Sequence, residues 1–294
     1  MRRACTLLAL LLALGCASAL AAIEVVDGGG QRVVLARPAQ RVVSLAPHAT
    51  ELLFAAGAGA RVVGVIKYSD FPAAARALPQ VGDSNQIDIE RVIALKPDLL
   101  VVWQSGNTAR QLEQLRQLGI PMYYSEPVQL AQIGADIGKL GQLLGTEATA
   151  RAARAAFDGK VAALTARYAR RAPVRVFYQV WDQPLFTLGG KQIVNDVITL
   201  CGGVNVFAGE RVKAPQVGVE AVLALNPEAV VGGEQHDSDR LGVNLWKPYH
   251  GMLAVQRGNL FTLDGELLAR PGPRVADGAA ELCEKLELTR QRRR

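Results

Sequence analysis

Aromatic side chains at strand ends are the residues best placed to do chemistry in this chain. Trp103 closes the apolar run Leu99 to Val102, and Trp181 closes the strand-like stretch that opens at Arg175. Ligands of open α/β sheets bind outside the carboxyl ends of the strands, so the two indoles are candidates for facing each other across a cleft. Tyr68, in Lys-Tyr-Ser-Asp-Phe-Pro after another strand-like run, fits the same lip. Tyr124, Trp246 and Tyr249 are either further contributors or ordinary packing. His48 stands at the end of the first strand, in reach of the same ligand. Flat, amphipathic rings suit a large, planar, partly apolar ligand better than a sugar or a bare ion.

Catalytic readings find less support. Gly82-Asp83-Ser84 resembles the nucleophile block of one hydrolase class, yet no Asp-x-x-His follows it to complete a triad. Gly-x-Ser-x-Gly, the Walker A loop and the dinucleotide fingerprint are absent. His48, His236 and His250 carry no spacing specific to a metal site, and Gly189-Gly190-Lys191 reads as a turn. A secreted hydrolase using Ser84 is the alternative from outside the binding proteins; the expectation is no enzyme, no cofactor and no metal.

The elements that would position these residues occur twice. Glu90-Arg-Val-Ile-Ala-Leu-Lys-Pro-Asp-Leu-Leu-Val101 returns as Glu220-Ala-Val-Leu-Ala-Leu-Asn-Pro-Glu-Ala-Val-Val231. Each copy reads as a short helix, a Pro stop and a buried strand. Strands are expected at Arg41 to Pro47, Arg61 to Ile66, Leu99 to Trp103 and Pro121 to Ser125, then at Arg175 to Trp181, Ala229 to Val231 and Leu260 to Leu263. A helix over Thr50 to Ala56 is closed by Gly57, and one near Asn195 to Leu200 by Cys201-Gly-Gly. The fold class is α/β: two Rossmann-like lobes, 22–145 and 172–288, joined by one long rigid helix at 146–171, with the ligand cleft between them. That stretch is Ala-rich and free of Pro, and Phe157, Val161, Leu164 and Tyr168 recur on one face. At 1.5 Å per residue it would run about 39 Å, so a stiff hinge with small closure is expected. Glu90 and Glu220 begin their helices, where acids favour the helix dipole. Their recurrence on both lobes would also display two negative points to a two-fold symmetric partner carrying basic residues.

Arg2 and Arg3 precede the apolar run Leu7 to Leu14, and small residues end in Ala19-Leu20-Ala21. This is the layout of a cleavable secretory signal over 1–21, too short to span a membrane; a lipid-modified Cys16 is the rival. The net charge of +6 resides at the ends: Arg2, Arg3, Arg290, Arg292, Arg293 and Arg294 are six of 33 basic residues, and the remaining 27 match 27 acidic ones. A neutral body leaves no basic face for nucleic acid, and 289–294 is expected to be a frayed basic tail. With Cys5 and Cys16 in the signal, Cys201 and Cys283 remain, which in an exported chain fits a disulfide better than a metal pair.

Four stretches together carry a resemblance: Arg41-Val-Val-Ser-Leu-Ala-Pro-His-Ala-Thr-Glu-Leu, Tyr68-Ser-Asp-Phe-Pro, Ile89-Glu-Arg-Val-Ile-Ala-Leu-Lys-Pro-Asp-Leu and Cys201-Gly-Gly-Val-Asn. The chain resembles, from about Val33 to Leu286, the periplasmic metal-chelate binding proteins with a helical backbone, and among them the cobalamin binders of ATP-binding-cassette importers. That resemblance implies two lobes bridged by a rigid helix, no catalysis, a monomer in the periplasm, and delivery of a corrinoid to a permease dimer with its ATPase subunits. It implies that Glu90 and Glu220 dock on the permease, that Tyr68 and Arg270 belong to the ligand site, and that Cys201 pairs with Cys283. The ligand wall departs from the cobalamin binders: Ser84 and Ala214 stand in place of tryptophans, and Glu266-Leu-Leu-Ala-Arg270 in place of Asp-Trp-Phe-Glu-Arg. Haem or a ferric siderophore is the alternative cargo.

Overall fold

The computed structural model describes residues 22–234 and 241–293. The expected signal segment with Cys5 and Cys16, and also His236 and Arg294, lie outside the described residues. A hairpin of β1 (Ile23–Val26) and β2 (Arg32–Leu35) opens the fold. The first lobe is a parallel sheet of β3 (Val42–Ser44), β4 (Val62–Val65), β5 (Leu99–Val102) and β6 (Met122–Tyr124), in the order β4-β3-β5-β6. Helices α1 (Pro47–Ala55), α2 (Ile89–Ala94) and α3 (Ala109–Gln117) connect its strands. After α4 (Leu130–Leu144) and α5 (Glu147–Tyr168), the second lobe repeats the plan with β7 (Val174–Gln179), a small ribbon of β8 (Trp181–Asp182) and β9 (Leu185–Phe186), and α6 (Ile193–Leu200). It continues with β10 (Gly203–Asn205), α7 (Val219–Leu225), β11 (Ala229–Gly233), α8 (Leu253–Gln256), β12 (Leu260–Leu263), α9 (Gly265–Ala269) and α10 (Val275–Gln291). Its parallel sheet runs β10-β7-β11-β12.

Strands covered on both faces read as unbroken apolar runs, and successive side chains point to opposite faces. Leu99 and Val101 of β5 accordingly join one core, Leu100 and Val102 another. In the second lobe Val174, Val176 and Tyr178 of β7 face the same core as Leu99, while Phe177 faces away. The core is therefore not two separate ones, as a two-lobed chain suggests. One cluster runs through both lobes by way of Ile133 and Ile137 of α4, Phe157 of α5 and Val194 and Val197 of α6, and each lobe adds a satellite of its own.

The bridging helix α5 has 22 residues, hence a length of about 33 Å. Phe157 and Tyr168 are buried, and Val161 and Leu164 pack partly against the shared core. Helix α4 runs close beside it: a Cβ on Gly141 would stand 2.3 Å from that of Ala150. Asp196 of α6 accepts the backbone N–H of Leu130 at 2.7 Å, a direct link from the second lobe to the helix pair.

The internal repeat is visible in the backbone. Lys96 and Asn226, each just before the repeat's proline, both turn left-handed, with φ of 47° and 41°. Cys201 and Cys283 form a buried disulfide joining α10 to the end of α6.

Arg290, Arg292 and Arg293, the C-terminal arginines described, do not fray. Helix α10 carries through Gln291, and Arg290 is buried, donating to the carbonyls of Ala172, Cys201 and Gly202. Arg292 donates to Asn259, and Arg293 pairs with Glu228 at 2.7 Å. Carbonyl oxygens left over at loop and helix ends need donors, and a guanidinium has five.

Candidate ligand site

The carboxyl ends of the two sheets face each other, as cross-lobe contacts reveal. Asp70, beyond β4, meets Arg270, beyond β12, at 2.5 Å; Glu126, beyond β6, meets Lys213, in the segment after β10, at 2.9 Å. The cleft lies between these contacts.

Its first-lobe floor is built by the turn after β5. Asn107 accepts the Trp103 backbone N–H at 2.9 Å and donates its amide to Leu45 O, tying the turn to the end of β3. Gly106 lies flat on the indole: a Cβ there would fall 1.9 Å from Trp103 Cε3, so glycine is required by the approach. His48 supports the other side, its ring edge-on to Trp103 at 5.2 Å. Direct ligand contact by His48, expected from its place at the strand end, is not what the geometry provides. The side chain is buried, and Nε2 has no hydrogen-bond partner among the described residues. Burial pushes its pKa down from 6.5 to about 4, against the opposing pull of a backbone hydrogen bond at Ser125 and the charge of Glu126. His48 is a neutral ring that sets the pose of Trp103.

Tyr68 is 64% exposed and adopts a left-handed φ of 68°. A tyrosine rarely accepts that conformation, and such outliers concentrate at binding sites. Lys67 Nζ lies 5.0 Å from its ring centroid. On the facing lobe β7 ends at Gln179, so Trp181 does not close that strand but opens the β8–β9 ribbon beyond it, 40% exposed, with Nε1 donating to Gln183 O. Trp246 is core: fully buried against Phe177 and Tyr249, with Nε1 donating to Gln179 at 2.6 Å. Tyr124 is buried too and accepts from Arg116.

Arg270, at the second lobe's side of the cleft, is held by Asp70 and by Glu266 one helical turn back. Beneath it Arg274 grips the buried carboxylate of Glu51 with two bonds of 2.6 and 3.1 Å and stacks on Phe71 at 4.1 Å. Burial would raise Asp70, but the hydrogen bond and charge of Arg270 outweigh it and hold the carboxyl below the usual range. Glu126 behaves alike, its burial outweighed by donors from Ser105 and Lys213. The Asp70 and Glu126 partnerships were missed at the sequence level, because nothing local links residues so far apart in the chain. Ser84 is exposed in the turn before α2, and His250 is exposed. Among the described residues no cluster of three His, Cys, Asp or Glu side chains could hold a metal ion. A cavity of about 440 Å³ lies on the first lobe's flank rather than in the cleft, between the β1–β2 turn, α3 and β6.

Glu90 and Glu220 sit in the first turns of α2 and α7, both exposed. Asp88 caps α2 by accepting from Arg91, so Glu90 is not needed as the cap; α7 has no side-chain cap.

The model of the periplasmic binding protein family matches residues 42–267. The chain belongs to that family. A vitamin B12-binding protein of Yersinia pestis (strain Pestoides F) is 41% identical to this family member over 252 residues, 85% of this chain and 88% of the relative. Among solved structures, the periplasmic vitamin B12 binding protein BtuF of Vibrio cholerae superposes with a TM-score of 0.81 at 36% identity, covering 86% of this chain and 98% of that one. A periplasmic haem-binding protein of Pseudomonas aeruginosa superposes with a TM-score of 0.71 at 27% identity, over 83% and 91% of the two chains. The two-lobed α/β fold is thus that of the family, and its members named here are binding proteins rather than enzymes.

Proposed function

We propose that this protein is a non-enzymatic, periplasmic substrate-binding component that holds a corrinoid, cobalamin or a close relative, between its lobes and delivers it to an inner-membrane ATP-binding-cassette importer. The observation that carries this reading is an aromatic cleft on a scaffold similar to vitamin B12-binding proteins: Trp103 pinned in one face, Trp181 and Arg270 on the other, Tyr68 on the rim. A macrocycle offers broad apolar faces to the rings and a polar rim of amides to charged groups such as Arg270 and Asp70. No proton needs to move and no bond to break; the cleft's contribution is preorganisation, which lowers the entropy lost on binding. Glu90 and Glu220 are the docking acids for a permease dimer, the chain acts as a monomer, and residues 1–21 are the export signal.

One observation favours a second cargo. Ala214 is exposed and Leu268 buried where cobalamin binders place aromatics, and the scaffold is also similar to a haem-binding protein. Calorimetric titration of the chain beginning at Ala22 with cyanocobalamin, its base-lacking precursor cobinamide, and haem tests both readings. Tight binding of either corrinoid with weaker haem binding is expected; haem alone binding would overturn the corrinoid reading in favour of the second.

A further inference from the structure

Besides the buried Arg274–Glu51 pair, two cross-lobe ion pairs stand at opposite ends of the cleft rim. In the first sheet β4 and β6 are the outer strands; in the second, β12 and β10 are. Asp70 follows β4 and meets Arg270 after β12, whereas Glu126 follows β6 and meets Lys213 beyond β10. Each partner is also fixed on its own lobe. Glu126 accepts both the backbone N–H and the hydroxyl of Ser105. Lys213 lies in a segment whose carbonyls at 213 and 215 accept from Gly189 and Thr187. The Asp70 carbonyl accepts from Arg76, and Arg270 is braced by Glu266. These are charges aimed across a gap from rigid mounts, not long side chains meeting by chance on a surface.

We propose that Glu126–Lys213 and Asp70–Arg270 are a matched pair of clasps that set the separation of the lobes at both ends of the cleft, and thereby the thickness of ligand admitted. The shared core and α5 fix the lobes along their common side, and the buried Arg274–Glu51 pair ties them beneath Arg270; the clasps fix the rim. A ligand thinner than the set gap leaves both clasps made, while a thicker one must stretch them, so the four residues set specificity through the gap as well as through any direct contact of Arg270 and Asp70 with the cargo. The thickness claim rests on the corrinoid reading; the claim about lobe separation does not.

The test uses nitroxide labels on Gln114→Cys in α3 and Ala224→Cys in α7, both exposed, in the ligand-free chain beginning at Ala22. Pulsed electron resonance then reads the distance between lobes. A single narrow distance is expected, lengthening or broadening when Lys213→Gln is combined with Asp70→Asn, and staying narrow in Lys213→Arg, which keeps the charge. Raising salt to 1 M, where screening acts within about 3 Å, should move the unsubstituted protein the same way. An unchanged distribution in the Lys213→Gln, Asp70→Asn protein would overturn the clasps. For thickness, the ratio of cyanocobalamin to cobinamide affinity should shift at least threefold in that protein towards cyanocobalamin, which carries the extra axial base. A lengthened distance with an unchanged ratio would overturn the specificity claim alone. Should neither corrinoid bind the unsubstituted protein, the functional reading fails while the distances still decide the clasps.

Discussion

His48 offers the sharpest test of how the cleft is supported, because its signature is a pH slope that the variant should remove. Its ring is wholly buried behind Trp103, and burial lowers its pKa from 6.5 to about 4. In the unfolded chain the same ring takes up a proton near 6.5. Between pH 6.5 and 4, therefore, the unfolded state binds a proton that the folded state refuses. Stability contributed by this group is fully present above 6.5 and is lost as the pH falls towards 4. Two and a half pH units at 1.36 kcal/mol each make the loss about 3 kcal/mol. The measurement is the unfolding free energy from urea titrations in steps from pH 7.5 to 4, for the natural protein and for His48→Gln. The variant removes the edge-on contact with Trp103 and can lower stability at every pH; the slope, not the level, is the readout. Asp70, Glu126, Glu228 and Glu287, whose carboxyls are all held below their usual range, lose stability only at the acid end, and they act in both proteins. The difference curve should fall by about 3 kcal/mol over this window. Parallel curves would refute a neutral, buried His48 and with it the support assigned to Trp103.

Trp103→Ala removes the pinned wall and should weaken corrinoid binding by about 10- to 100-fold by calorimetry, as loss of an aromatic anchor does; a change below twofold would take Trp103 out of the site. Glu90→Ala with Glu220→Ala should leave ligand affinity within about twofold, since both acids are exposed in the first turns of their helices rather than among the aromatics of the cleft. Association with the permease, read by surface binding to the reconstituted importer, should drop at least tenfold, and unchanged association would remove the docking role. Arg290→Met leaves three carbonyls and Glu287 without their buried donor and should cost about 3 kcal/mol in urea unfolding; a loss under about 0.5 kcal/mol would restore the picture of a frayed end. Cys201→Ala with Cys283→Ala opens a closure spanning 82 residues, worth about 4 kcal/mol on the chain-entropy account, and an unfolding midpoint left unmoved by the double variant would contradict that account.

What could be read ahead of the structure was whatever repeats or alternates locally. The repeat at 90–101 and 220–231 carried the two lobes because helix, proline stop and buried strand are all short-range signals, and Leu260–Leu263 was legible strand because a short apolar run flanked by a turn has few other readings. The placing of Trp103 followed from its position after β5. Long-range electrostatics were not legible. Arg290 looks like one more residue of a basic tail until its carbonyl partners at Ala172, Cys201 and Gly202 are brought beside it by the disulfide-linked α10. His48 looked like a ligand contact because its strand end does point to the cleft; only the tertiary position of Trp103 shows that the space above it is taken. Trp181 lies beyond its expected strand because the chain turns at Val180, whose N–H donates to Phe186 O, into the β8–β9 ribbon.

The stiffness expected from a long bridging helix would rest on more than the helix itself. A solitary helix joining two independent cores could swing about either end. Here α5 is one wall of a core that both sheets share, with Ile137 of α4, Phe157 of α5 and Val197 of α6 in the same cluster as Val101 of the first lobe and Val231 of the second. Opening the cleft by hinge motion would have to shear that packing, in which interdigitated side chains resist continuous deformation. Only small movements at the open side remain inexpensive, and those are the movements that Glu126–Lys213 and Asp70–Arg270 oppose. A receptor built this way recognises its cargo mainly by a gap already at the right width, so closure contributes little. Release then has to come from outside, by a partner that grips both lobes at once. Two exposed acids at equivalent places on the two lobes are what such a partner would hold.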